Sequence, residues 1–373
     1  MLTMENTGSN GPRIVIAPDS FKGTATAEEA ATWLGTGVQK VLPDADIHIT
    51  PMADGGEGTS LAFGGQRITL PTTDAAGRLT EASYTWDETT ATAYIDVAAA
   101  TGLPAVSDAP VPLTGDTYGT GVLIADAQTR GAQTIALALG GSATVDGGSG
   151  ILVALGAQPL NPHGYAVPHG GGYLGAVDRV DTAQLNVAAA SMNWVLLSDV
   201  NSPATGPQGA AAVFGPQKGA EPEDVELLDA ALDHWCKVLE VDPSIPGMGA
   251  AGGIGIGITW LSRLIHGDDT HVLIRPGAPV VAASLGIPEL LETADLIITG
   301  EGALDSQTAT GKVVHTINQL ATQRGVRVAI AAGTIAPEAR IPGALHAELK
   351  KDTPVKEQLI DAGERLARDF LAG

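Results

Sequence analysis

Cysteine is nearly absent: Cys236 stands alone in 373 residues, so no intrachain disulfide can form and a reducing compartment is expected. Basic residues are scarce as well, 20 Lys and Arg against 42 Asp and Glu, for a formal charge of −22. A polyanion gains nothing by approaching phosphate backbones or anionic lipid, so neither nucleic acid nor a membrane surface is an expected partner. No uninterrupted apolar stretch approaches the roughly 20 residues of a membrane helix, and residues 1–11 carry neither a basic nor an apolar leader segment. The expectation is a soluble, cytoplasmic protein.

Several signatures are missing too. The eight histidines show no H-E-x-x-H or other zinc-ligand spacing, and no G-x-S-x-G elbow of a serine hydrolase occurs. Gly302 to Lys312 fails as a P-loop, because Ser306 stands where a glycine is required and Val313 where Ser or Thr should follow the lysine. Gly247 to Gly252 spells G-x-G-x-x-G, yet Pro243 and Pro246 precede it in place of a strand, so its small residues read as close packing against a helix.

What is present is 44% apolar residues, 48 Gly and 23 Pro, the composition of a globular chain rich in tight turns and long enough for two domains. One pattern recurs: a β-branched or aliphatic run, a Gly-rich loop bearing an acid, then an Ala-rich helical segment, which is α/β logic. Ile14–Ala17 leads to Pro18–Gly23 and a helix from about Thr26, with Thr26 and Glu29 at capping-box spacing. Ile47–Thr50 leads to Asp54–Thr59, Thr134–Leu139 to Gly140–Gly148, Trp194–Leu197 to Asp199–Pro203, and Leu296–Ile298 to a loop through Gly300, Glu301, Gly302 and Asp305 to Lys312. Val328–Ile330 is a further strand, and Glu223–Glu240 reads as an amphipathic helix burying Trp235 and Cys236.

In open α/β sheets ligands collect where such loops sit, at the carboxyl ends of strands. Of the few lysines, Lys22, Lys218 and Lys312 each lie in a Gly-rich loop close to an Asp. Any one such loop could be a turn with a capping acid. Together they supply glycine amides, point cations and Mg²⁺-binding carboxylates, the parts that phosphoryl transfer requires.

The motifs Ala17-Pro18-Asp19-Ser20-Phe21-Lys22-Gly23, Asp54–Thr59, Gly140–Gly148, Val213–Ala220, Gly249–Gly253 and Thr299-Gly300-Glu301-Gly302 through Asp305, Gln307 and Gly311-Lys312 span residues 13–312. In this order and spacing they resemble the bacterial type I glycerate kinases. The resemblance implies ATP-dependent phosphorylation of D-glycerate, usually at the 2-hydroxyl, with ATP as co-substrate and Mg²⁺ as cofactor. It implies a two-domain α/β fold: a discontinuous Rossmann-like parallel-sheet domain from 1–72 and 290–373, an inserted α/β domain at 73–289, and the cleft between them. A monomer or homodimer is expected.

Within that reading Asp199 or Asp305 orients or deprotonates the glycerate hydroxyl while the other helps hold Mg²⁺, and Lys22 and Lys312 neutralise the γ-phosphoryl. Gly140, Gly141, Ser142, Thr144, Asp146, Gly147 and Gly148 form the nucleotide-phosphate cradle. Asp19, Ser20, Asp54, Glu57, Lys218 and Glu301 line the substrate side. The chain departs from the family pattern at Val145 and Ser202, where Asn is usual, and at Ala303, where a basic residue follows Gly-Glu-Gly. Ala303 motivates two alternatives: a kinase for another small hydroxy acid, or a catalytically silent nucleotide- or acid-binding regulatory protein.

Overall fold

The structure, a computed structural model, describes residues 11–21, 23–305, 312–350 and 353–373. Its strands in chain order are β1 (Arg13–Ile16), β2 (Asp46–Ile49), β3 (Gln66–Thr73), β4 (Leu79–Asp87), β5 (Thr92–Asp96), β6 (Thr134–Ala138), β7 (Gln158–Leu160), β8 (Arg179–Asp181), β9 (Asn193–Leu197), β10 (Val272–Arg275), β11 (Leu296–Leu304), β12 (Arg327–Ile335) and β13 (Leu345–Glu348). Two compact units divide them, residues 1–54 with 277–373 and residues 55–276. Residues 55–72 therefore lie with the second unit and 277–289 with the first.

The first unit holds a five-stranded sheet in the order β13-β12-β11-β1-β2, parallel throughout. The chain runs outward from β1 to β2 on one side and from β11 through β12 to β13 on the other. The strand order therefore reverses between β1 and β11, the kind of switch point where loops diverge and leave a crevice. Ile14, Ile16, Leu296, Ile298, Ala329 and Ala331 pack against helices Ala27–Val41 and Val355–Ala372. The first of these helices starts at the expected capping box: Glu29 N donates to Thr26 Oγ1 and Thr26 N to Glu29 Oε2. The two helices approach through glycine. A Cβ on Gly37 would lie 2.1 Å from the Ile360 carbonyl oxygen, and one on Gly363 2.3 Å from that of Leu34.

The second unit is built on a six-stranded sheet, β10-β9-β6-β5-β4-β3. β5, β6, β9 and β10 run parallel, while β3 and β4 form an antiparallel edge joined to β5; β7 and β8 make a separate antiparallel pair. Its core contains Trp194, Leu196, Ile135, Leu137 and Ile95. Helix Pro222–Val238 seats Leu228, Leu232, Trp235 and Cys236 against that core, as its periodicity predicts. The Gly247–Gly252 stretch also packs closely: a Cβ on Gly252 would stand 2.0 Å from the Thr144 carbonyl oxygen. Among the described residues no helix is long and apolar enough to cross a membrane.

One local expectation needs correction. Gly300, Glu301 and Gly302 do not form a loop, because β11 continues through them to Leu304 in register with β12 as far as Ile335. Glycine here lets two strands close rather than turn. A Cβ on Gly300 would lie 2.2 Å from the Ala331 carbonyl oxygen, and one on Gly333 2.4 Å from that of Gly302.

Candidate active site

In the first unit the candidate residues gather at the carboxyl ends of β1 and β11. Asp19 N donates to the Gly300 carbonyl at 2.8 Å, and Ser20 N to Asp19 Oδ1 at 2.6 Å, so the Asp19-Ser20 turn is held against β11 just before Glu301. Thr299 Oγ1 donates to the Ala17 carbonyl and Met52 N to the Pro18 carbonyl, which ties the segment leading to Asp54 into the same end of the sheet. Glu301 is buried; Ala303 and Asp305, further along, are exposed. Lys312 occupies the N-cap position of helix Val313–Arg324. A cation is disfavoured at the positive end of a helix, so its charge there suits an arriving anion. Lys22, Gln307 and Gly311 lie outside the described residues.

In the second unit the corresponding ends are those of β5, β6 and β9. Leu139 N donates to the Leu197 carbonyl, joining the start of the Gly140 turn to the segment that carries Asp199. Gly140 N donates to the Gly55 carbonyl at 3.0 Å, and a Cβ on Gly140 would come within 2.6 Å of Gly56 Cα. The Gly55–Thr59 stretch, with Glu57, is thereby docked on the end of β6. Leu103 N donates to the Gly141 carbonyl and Ala143 N to that of Thr101. Gly141 is left-handed at φ 75°, and the amides of Gly141 and Ser142 donate to no protein acceptor among the described residues. Successive amides without a protein acceptor beside a left-handed glycine are the kind of feature from which anion-binding concavities are built.

The rest of the Gly140–Gly148 stretch is interior. Gly140 and Gly141 reach solvent, whereas Ser142, Thr144, Asp146, Gly147 and Gly148 are all buried. Asp146 has no exposed surface. Its carboxylate accepts from Thr117 N and Oγ1, Gly148 N and Gly150 N. It thus bridges the starts of helices Tyr118–Thr129 and Ser149–Ala154. Burial, reinforced by nearby Asp116, pushes its carboxyl up against the pull of those donors. Gly147 is locked as well: its carbonyl accepts from Trp235 Nε1 and Gly257 N. Lys218, expected among the cations facing substrate, is 3% exposed. Its Nζ donates to Ser142 Oγ at 3.0 Å and to the Thr144 carbonyl at 2.6 Å.

Four further side chains carry no motif in the sequence: Asp96, Arg67, Asp116 and His169. Asp96, at the end of β5, accepts from Gly58 N, Ser60 N and Ser60 Oγ, and so clamps the loop that bears Glu57. Arg67 donates to Ser60 Oγ from the edge strand β3. Burial raises the Asp96 carboxyl, offset by those donors and by Arg67. Asp116 accepts from His169 Nδ1 at 2.7 Å, a contact that lifts the imidazole above its usual value. No local spacing marks these pairs, which are separated by 36 and 53 residues. The one available cue is Asp96 as the last residue of an aliphatic strand-like run.

Of the basic residues that could stand in for the cation absent at Ala303, Arg78 is engaged by Asp74 and Asp108 and Lys218 by the Gly140 turn. Arg275 contacts the Ile274 carbonyl.

The sequence profile described as the glycerate kinase family matches residues 14–368. A glycerate kinase of Halalkalibacterium halodurans is 39% identical over 86% of this chain and 85% of its own length. The glycerate 2-kinase of Escherichia coli is 37% identical over 81% and 80%. A crystal structure from Salmonella typhimurium LT2, described as glycerate kinase 2, superposes with a TM-score of 0.80 at 34% identity, covering 98% of this chain and 99% of that one.

Proposed function

The chain belongs to the glycerate kinase family, and from that premise we propose that it transfers the γ-phosphoryl group of ATP to the 2-hydroxyl of D-glycerate. The new bond joins the C2 oxygen to the γ-phosphorus, the bond from that phosphorus to the β,γ-bridging oxygen breaks, and the hydroxyl proton passes to a carboxylate. The products are 2-phosphoglycerate and ADP. The observation that carries this reading is the pair of open amides at Gly141 and Ser142, set at the carboxyl end of β6 beside the strand that leads to Asp199.

In this reading Gly140 and the amides of Gly141 and Ser142 face the nucleotide phosphates, and Thr144, Asp146, Gly147 and Gly148 shape the turn from behind. Lys312 and Lys22 neutralise the transferring phosphoryl. Asp19, Ser20, Asp54, Glu57 and Glu301 serve the substrate side. Asp199 and Asp305 divide proton acceptance and metal binding between them.

Among the described residues no group of three or more His, Cys, Asp or Glu side chains could cage a metal. Mg²⁺ takes one or two carboxylates and completes its shell with phosphate oxygens and water. When bound, Mg²⁺ offsets the negative charge that ATP brings to an acidic protein.

The test is ADP release from ATP with Mg²⁺ and D-glycerate, run beside a panel of other small hydroxy acids. Release with D-glycerate that EDTA abolishes is the expected result. Preference for another hydroxy acid would move the substrate assignment in the direction Ala303 suggests, and binding without release would identify a silent regulatory protein.

A further inference from the structure

A buried ammonium is costly, and an apolar side chain of similar volume is usually at least as stabilising in its place. Lys218 is such a group, and among the described residues it has no direct ion pair. Its two acceptors are neutral, Ser142 Oγ and the Thr144 carbonyl. The charged group that faces it is Asp146, whose carboxylate is engaged by Thr117, Gly148 and Gly150; Asp116 and His169 stand behind. Lys218 ends a short 3₁₀ turn, Pro216–Lys218. The next residue, Gly219, turns the chain with φ 91° so tightly that a Cβ there would meet the Pro110 side chain at 2.6 Å. The lysine is therefore delivered inward by rigid backbone.

Both of its contacts belong to the turn that presents the open amides. Ser142, whose amide is open, is held by its hydroxyl. Thr144, whose Oγ1 is buried with no partner among the described residues, is held by its carbonyl. We propose that Lys218 is a positioning residue for phosphoryl transfer: it fixes Ser142 and Thr144 so that the Gly141 and Ser142 amides stay aimed outward at nucleotide phosphate, and it touches no substrate itself. The proposal rests on the reading of the Gly140 turn as the nucleotide site.

Protonation gives it a signature. Burial lowers the Lys218 ammonium to about 7 from its ordinary 10.5, against the raising pull of Asp146. The charge that grips Ser142 and Thr144 is thus present below that value and lost above it. For the fold the sign is opposite. Between about 7 and 10.5 the unfolded chain binds the proton that the folded chain has released, so this group adds stability as pH rises through that window.

The experiment is steady-state kinetics on Lys218→Met and Gly141→Ala across pH 6 to 9. Lys218→Met should raise KM for ATP about 10- to 100-fold, the effect of losing charge-assisted hydrogen bonds, and leave KM for D-glycerate within about twofold. In the unsubstituted protein kcat/KM for ATP should fall above about pH 7 while thermal stability does not, and the variant should lack that limb. A purely structural lysine would change stability without that divergence. If Gly141→Ala raises KM for ATP and a folded Lys218→Met does not, the positioning role is overturned alone. If neither moves ATP, the nucleotide reading of the turn falls with it. Should Lys218→Met not fold, ¹³Cε-lysine NMR on the unsubstituted protein decides. One lysine titrating near neutrality and shifting with a non-hydrolysable ATP analogue supports the proposal; no such response overturns it.

Discussion

The Gly140–Gly148 stretch and the Gly300–Asp305 stretch look alike as sequence, each a glycine-rich run with an acid following an aliphatic strand, and they are built for different work. In the first, Gly141, Gly147 and Gly148 have positive φ and Asp146 is sealed inside, bridging two helix starts. In the second, Gly300 lets β11 lie against β12, and Asp305 ends exposed beyond the last strand residue. The acid of the first loop is sealed in and holds two helix starts together, and that of the second lies exposed past the end of its strand. Composition cannot separate the two; burial does.

The sharpest way to break this contrast is to remove each acid in turn. Asp305→Asn should lower kcat by about 10³-fold, in the range of a lost general base, and leave the denaturant midpoint in place. Asp146→Ala should do the reverse, lowering stability by about 3 kcal/mol or more as four donors lose a buried acceptor. Urea titrations with kinetics on both proteins check the pair. A stable Asp146→Ala protein, or a destabilised Asp305→Asn protein with normal turnover, would erase the distinction.

A smaller effect is expected at Lys312, the N-cap residue of helix Val313–Arg324. Lys312→Ala should reduce kcat/KM about 100-fold by removing one cation from the developing phosphoryl charge. A change under about threefold with an intact fold would assign Lys312 to the solvated surface.

The smallest expected effect concerns Ala303, exposed on β11 opposite Thr334. Ala303→Arg should lower KM for D-glycerate about tenfold, the effect of one charge-assisted hydrogen bond to its carboxylate, with KM for ATP nearly unchanged. Saturation curves for both substrates decide it: a rise for glycerate, or a shift confined to ATP, removes the position from carboxylate binding.

Much of the frame is legible because it rests on local rules. Thr26 and Glu29 mark a helix start that the structure realises bond for bond, and the spacing of Leu228, Leu232 and Trp235 marks a buried helix face. The parallel strands β1, β2, β6, β9, β11 and β12 are recognised as aliphatic runs, whereas β5, β10 and β13 are not. Reading fails where a residue's meaning is set at a distance. Gly300 passes for a turn glycine until its neighbour Ala331 is known, and Lys218 passes for a loop cation until its contacts 76 and 74 residues away are seen. Asp116 and His169 carry no local mark, since what makes each notable is a partner 53 residues away. The antiparallel strands β3 and β4, half polar and with Pro71 in the ladder of the edge strand β3, lack the aliphatic runs that reveal the buried ones.

The assignment of reaction and position can be tested in one tube. Purified protein with ATP, Mg²⁺ and D-glycerate should give a new ³¹P resonance coupled to the C2 proton, with ADP formed in equal amount. A phosphate ester at C3, or ATP left intact beside bound glycerate, would contradict the account.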